Sequence, residues 1–382
     1  MTSAVTANLE AHGRDLRIDL VRGIALWLIV VDHIPGNAVN LVTLRNFGFS
    51  GAADLLIFVT GYAAAILYGR MTLERGFVVA TSRIYRRVGK LYAAYLMLFV
   101  TYISAISWFA ARYDAADIIA QYHVIGVVSD TLGVLMYGLF LLAHPLNLDI
   151  LQLLITLLAF FPFAFACLLR WPNWTLAGSI ALYFTARRFD LGLPGYSQPP
   201  DSYLNPLCWQ VLFTLGAWLA LNGRKFARSM QGAYALRILA VCYLLFALLI
   251  SLAQTHPAIG HLVPDLLTRP FIPGDRVNLA PYRLLHLLAL ALVFTSLIPE
   301  KWQGLRWRAL QPLLRCGEEW LACFCTGVFL SFTGYMVLIT SRNSLLMQVL
   351  VSAAAISLMT AIAYYISWSK RQDQIARLGA GS

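Results

Sequence analysis

Arg22 and His33 stand eleven positions apart in "LVRGIALWLIVVDHIPGN" at 20–37, with Asp32 immediately before the histidine. At ~100° per residue the two share a helix face to within about 20°, and at ~1.5 Å per residue they lie about 16 Å apart along the axis. Between them the run from Ile24 to Val31 is apolar, as in a membrane helix. With Arg22 at the inner boundary of a hydrocarbon core ~30 Å thick, His33 falls near its middle. An ionisable group at that depth costs at least ~2.5–3.5 kcal/mol and faces a cavity or a partner. Neutral imidazole is the cheaper form there, and it is the form that accepts a proton. The chemistry on offer is general-base attack by a hydroxyl. Pro35 removes a backbone donor and leaves the Val31 carbonyl without its usual partner. Gly36 and Asn37 prolong the irregularity, so a distorted turn lets Asp32 orient His33, or line a polar cavity with Asn37 and Asn40. The next stretch, "TLRNFGFSGAADLLIFVTGY" at 43–62, brings Arg45, Asn46, Asp54 and Tyr62 toward the same outer half.

A second signal is "RIYRR" at 83–87. Arg83 and Arg86 are three apart and share a helix face, and Arg87 and Lys90 extend the charge. Guanidinium groups at a cytoplasmic helix end grip phosphates in pairs, although the same residues also serve as an ordinary inner-face cluster. Joined to His33 they suggest a division of labour. A phosphorylated donor docks inside, its thin arm reaches into the membrane, and an acceptor hydroxyl arrives from outside. Coenzyme A, with phosphates at one end and a thioester on a long arm, fits that geometry. Further polar groups at helix ends are Trp209 and Gln210 in "NPLCWQVLF", and Arg283 and His286, three apart in "PYRLLHLLALAL". Glu318 and Glu319 sit at the inner boundary beside Arg306, Arg308 and Arg315, with which they can pair.

The elements that must position these groups are membrane helices. The 382-residue chain is 59% hydrophobic and 12% charged, about half the charge fraction of a soluble protein. Its apolar runs are continuous and Leu-rich, which reads as helices and not as a β-barrel. The net charge of +11 sits in short clusters between those runs, the pattern of positive-inside loops and not of a nucleic-acid surface. The reading is an all-α polytopic bundle of about ten spanning helices: roughly 20–39, 52–69, 88–108, 149–169, 174–189, 206–222, 233–253, 280–298, 318–340 and 345–368. The apolar piece 131–143 is short, re-entrant or interfacial. Residues 1–19 and 369–382 are cytoplasmic ends of one transmembrane domain, 20–368. This count keeps Arg14, Arg17, Arg22 and the four lysines inside, with Arg187 and Arg188 as a mild violation. The outer loop "YSQPPDSYLNP" at 196–206 suits a polar, bulky ligand or, equally by composition, a plain solvated linker. The first apolar run lacks a small-residue cleavage site and reads as a retained anchor. The six cysteines have no metal-ligand spacing and read as small buried apolar side chains; no metal site is expected.

The residues at 17–62, "RIDLVRGIALWLIVVDHIPGN", "TLRNFGFS" and "FVTGY", resemble the OpgC family, a branch of the acyltransferase-three superfamily of integral-membrane acyltransferases. Weaker matches are "YGLFLLAHPLNLDIL" at 137–151, "NPLCWQVLFTLGAWLA" at 205–220, "RLLHLLALAL" at 283–292 and "CFCTGVFLSFTGYMVL" at 323–338, so the resemblance runs over nearly the whole chain. The superfamily's Arg, ten residues, then His is matched by Arg22 and His33, and its Arg-x-x-Arg by Arg83 and Arg86. The resemblance implies acyl transfer from cytoplasmic acyl-CoA, succinyl-CoA for this branch, to hydroxyls of osmoregulated periplasmic glucans. It implies a bacterial inner-membrane enzyme with acyl-CoA as co-substrate and no permanently bound cofactor. Its motif residues are matched by His33 for catalysis and by Arg22, Arg83 and Arg86 for the donor. Read from the residues themselves, Asp32 joins the catalytic set and Arg87 the donor set, while Asn37, Arg45, Asn46, Asp54, Tyr62, Trp209, Gln210, Arg283 and His286 are the acceptor candidates. Gly51, Asp54 and "GEEWLACFC" depart from the family's usual pattern. Direct transfer and a covalent acyl-histidine both remain open, and a saccharide or anion transporter is the alternative from another class. No nucleic acid is expected as a partner.

Overall fold

The computed structural model describes residues 9, 15–114, 117–124, 126–193, 203–231, 234–271 and 275–379. Arg14 and most of the 196–206 loop lie outside the described residues. Among the described residues every regular element is a helix and no strand occurs. The principal helices are α1 Leu16–Asp32, α2 Ala52–Arg75, α3 Phe77–Tyr113, α4 Thr131–Leu139, α5 Asp149–Arg170 and α6 Pro172–Arg188. They continue as α7 Pro206–Gln231, α8 Tyr234–Thr255, α9 Pro281–Leu297, α10 Gln311–Glu318, α11 Trp320–Thr340 and α12 Leu345–Gly379.

Six of these, α2, α3, α5, α8, α11 and α12, are long and apolar enough to cross a bilayer. The chain is therefore a multi-pass helical membrane protein. The other helices read as spans are different in kind. Three of them, α1, α6 and α9, have 17 residues each. That is ~25 Å at 1.5 Å per residue, the lower limit for a core of ~30 Å. The second half of α7 carries the basic run "GRKFAR". With nine residues, α4 reaches only ~14 Å, so it is too short to span.

Several boundaries differ from the sequence expectation, each for a physical reason. The first helix starts at Leu16, where Asp15 caps it by accepting from the Arg17 N–H, and it stops at Asp32, not near residue 39. Pro35 cannot donate to Val31, so Ile34 N–H takes the Val31 carbonyl at 3.3 Å and the helix closes. The third begins at Phe77, not 88. Gly76, with φ +87°, makes the turn from α2, and "RIYRR" then lies inside one 37-residue helix. The last runs on to Gly379, so the tail from 369 is largely helical. Cys208, Cys316 and Cys323 are buried as expected, but Cys167 and Cys242 are exposed on their helices. Arg187 pairs with Asp275 at 2.8 Å. Glu318 pairs with Arg315, and Glu319 with Lys370.

The chain forms two compact units. The first comprises Ile57–Tyr234 and Arg269–Leu285 with Met1–His12; the second comprises Gly13–Leu56, Ala235–Thr268 and His286–Ser382. Each contains a close helix crossing made by a reciprocal pair of glycines. In the second unit, a Cβ on Gly23 of α1 would lie 1.9 Å from the Leu313 carbonyl oxygen, and one on Gly317 of α10 would lie 1.8 Å from the Asp19 carbonyl oxygen. In the first unit, Gly61 of α2 faces the Phe213 carbonyl and Gly216 of α7 faces the Phe58 carbonyl in the same way, at 2.0 and 2.2 Å. Small residues permit such backbone approach where apolar burial alone gives helices in lipid no reason to associate. Leu20, Leu305 and Leu314 fill the α1–α10 contact, with Ile24, Phe294, Ile298 and Trp302 packed round them.

The second unit is polarised along α1. At the Leu16 end, Arg17 donates to the Ile298 carbonyl, and Lys370 meets Glu319. At the Asp32 end the polar segment 33–51 folds against α8, α9, α11 and α12. That end carries the candidate site.

Candidate functional site

His33 caps α1. Its backbone N–H still bonds the Ile29 carbonyl, so helical register holds from Arg22 to the cap and the spacing argument for that pair applies. The ring Nδ1 lies 2.7 Å from the same Ile29 carbonyl oxygen. A carbonyl oxygen only accepts, so Nδ1 carries the proton and Nε2 of the neutral ring bears the lone pair. The ring is partly exposed, not sealed in the core. Asp32 is held by Thr43, whose Oγ1 donates to Oδ1 at 2.5 Å. Thr43 is buried and was no part of the sequence reading.

The segment after His33 is two short 3-10 turns, Ala38–Val42 and Leu44–Asn46. Gly36, at φ +68°, begins the reversal that Pro35 requires. Asn37 is buried: its amide donates to Ser352 Oγ at 2.8 Å, and its side-chain oxygen accepts from the Val39 N–H at 3.0 Å. Ala38 N–H donates to Gln348 Oε1 at 2.7 Å. Gln348 and Ser352 are one turn apart on α12, so the last helix pins the segment just past the first. Asn46 closes the turn onto the Asn40 carbonyl, and its own carbonyl accepts from Ser251 of α8. Arg45 is exposed.

His286 anchors the far end of the segment. Ser50 N–H donates to His286 Nδ1 at 3.3 Å, and Ser50 Oγ lies 2.6 Å from the same atom. A backbone N–H only donates, so Nδ1 is an acceptor and the serine hydroxyl donates to it as well. Both residues are almost wholly buried. A Cβ at Gly48 would sit 2.1 Å from His286 Nε2, so the chain can pass only as glycine. Phe49 meets the ring edge-on. Asp54, fully buried, accepts from the Gly51 N–H at 2.8 Å and caps α2. Ser50, like Thr43, is a residue that sequence reasoning missed; the signal was a serine two positions after an obligatory glycine in a polar stretch.

The remaining predicted residues belong to the first unit. Arg83 and Arg86 are exposed on one face of α3, and Arg87 is half-buried. Tyr62, on α2, is partly exposed. Trp209 is fully buried, and its Nε1 donates to the Arg276 and Val277 carbonyls. Gln210 bonds both the hydroxyl and the carbonyl of Ser179, tying α7 to α6. Arg283 is buried at the start of α9. The structure thus brings Asp32, His33, Asn37, Asn46, Asp54 and His286 into one unit, with Arg22 on the helix that leads to them.

A family model described as OpgC protein matches residues 14–371, nearly the whole chain. Neither the curated proteins nor the solved structures yield a match.

Proposed function

The chain belongs to the OpgC family, which implies a membrane acyltransferase acting on glucans, and from that premise we propose a specific reaction. The enzyme moves an acyl group, succinyl in our reading, from cytoplasmic acyl-CoA to a hydroxyl of a periplasmic glucan. It works in a bacterial inner membrane, with about ten spans and both termini inside. His33 Nε2 takes the proton of the acceptor hydroxyl as its oxygen attacks the thioester carbonyl. A carbon–oxygen bond forms, the carbon–sulfur bond breaks, and the thiolate leaves to collect a proton. Asp32, the preceding residue, is assigned to stabilise by its charge the imidazolium formed on the way. Arg83, Arg86 and Arg87 are assigned to the donor's phosphates, and Arg22 to the donor as well. In the second unit we assign Arg45 and Asn46 to the acceptor, with Asn37, Asp54 and His286 shaping the segment through bonds to the protein; in the first unit Tyr62, Trp209, Gln210 and Arg283 are assigned to the acceptor as well.

The observation that carries this reading is the tautomer of His33: a partly exposed imidazole at a helix end, its Nδ1 proton committed to the Ile29 carbonyl. That arrangement supports a base with a defined lone pair. Mass spectrometry of envelope carbohydrate from cells with and without the gene tests it. The acyl mass is expected to vanish from the glucan when the gene is lost, and an unchanged spectrum would overturn the assignment.

A further inference from the structure

The first unit contains a polar hollow that none of the residues above uses. Its wall includes His144, Asp149, Gln152, Thr156 and Tyr203 among leucines. Its empty volume is about 300 Å³, with the solvent at its mouth included. The hollow is open to solvent, so a sugar ring can present its hydroxyl-bearing edge to the wall from the mouth.

The chemistry of the wall is one-sided. Gln152 Nε2 donates to the Ala143 carbonyl at 2.5 Å and to the Tyr95 hydroxyl at 3.0 Å, which fixes which way its amide points. Its Oε1 therefore faces His144 Nδ1, 3.1 Å away, and that nitrogen must carry the proton. Burial holds the ring neutral by lowering its pKa, against smaller opposing effects of the Gln152 bond and the Asp149 charge. His144 Nε2 is then a lone-pair acceptor. It is buried, on a side chain only 6% exposed, and no donor among the described residues reaches it. Asp149 Oδ1 is likewise buried without such a donor. Tyr203 stacks on the imidazole with ring centroids 5.1 Å apart and an interplanar angle of 27°. Two unmet acceptors beside an aromatic ring suit a ligand that donates hydrogen bonds and offers apolar C–H faces. An anion meets a carboxylate there, and a purely apolar group leaves both acceptors unmet.

We propose that the hollow at His144 and Asp149 docks a hydroxyl-bearing tip of an uncharged polyol, a sugar unit, with two O–H groups donating to His144 Nε2 and Asp149 Oδ1. That this sugar is the acyl acceptor rests on the transferase reading; that the hollow binds a sugar hydroxyl does not. The test is calorimetric titration of the full chain in lipid nanodiscs with a β-linked glucose tetrasaccharide, without acyl-CoA. Saturable binding is expected, weakened roughly tenfold or more by His144→Phe, which keeps the stacked ring but removes the acceptor. Asp149→Ala, at a half-buried position on the first turn of α5, should weaken it similarly, and it serves if the histidine variant does not fold. No binding by the wild type, equal affinities in both variants, or displacement of the sugar by ethanolammonium would each overturn the proposal. Histidine-dependent binding without any acyl transfer would sustain it while removing the transferase reading. Acyl transfer whose KM for glucan is untouched by both variants would do the reverse.

Discussion

Replacing Gly23 with alanine adds one methyl group where α1 crosses α10. That Cβ would lie 1.9 Å from the Leu313 carbonyl oxygen and 2.6 Å from its carbon. An ordinary C···O contact is ~3.3–3.6 Å, so the helices must part by roughly 1.4–1.7 Å. Both contacting atoms are backbone, so no side chain can swing aside. Overpacking of this sort costs about 1–3 kcal/mol, a factor of roughly 5–150 in the folding equilibrium. The displacement also travels. Gly23 is on the helix that ends in His33, and a shift of ~1 Å at a catalytic group can lower a rate about 100-fold. Thermal unfolding in detergent and the acyl-transfer rate read the two effects. Gly178→Ala, on α6, is the control: nothing lies within 4 Å of its added carbon, so it should be neutral or slightly stabilising. Wild-type stability in Gly23→Ala would refute the claim that a glycine crossing sets the position of α1.

Arg83→Ala with Arg86→Ala should raise KM for acyl-CoA at least about tenfold and leave KM for glucan unchanged, as steady-state kinetics would show. Asn37→Ala strands the Val39 N–H and deprives Ser352 of its partner, and a loss of about 1–3 kcal/mol is expected in denaturant titration. His144 has its pKa lowered by burial, so the unfolded chain binds the proton more readily than the folded one. Its contribution to stability is complete above the ordinary value of 6.5 and declines as pH falls below it. Unfolding midpoints measured across that range should therefore be flatter in His144→Phe than in the wild type.

The helical class and multi-pass character were legible because lipid leaves a backbone few options, and Leu-rich runs announce the choice. The Arg22–His33 geometry was legible for the same reason: it needs only one regular helix. The path of the chain beyond His33 was not, because local pattern does not reveal partners such as Ser352, 315 residues away from Asn37. The signal was present as Gln348 and Ser352 on one face of an apolar helix, where polar groups seek each other. Pro35 was read as a distortion within a helix when it ends one. The "RIYRR" cluster was read at a helix end, though arginine is a good helix former and Gly76 alone breaks the chain before it. Ser50 escaped notice because its partner, His286, is made by folding and not by spacing.

The central claim is that His33 Nε2 takes the acceptor's proton. Its most direct test is the single-turnover rate of acyl transfer from radiolabelled acyl-CoA to glucan by purified His33→Gln enzyme, alongside donor binding. The account predicts that the rate falls about 10²–10⁴-fold while acyl-CoA still binds. A variant that transfers the acyl group at the wild-type rate would contradict it.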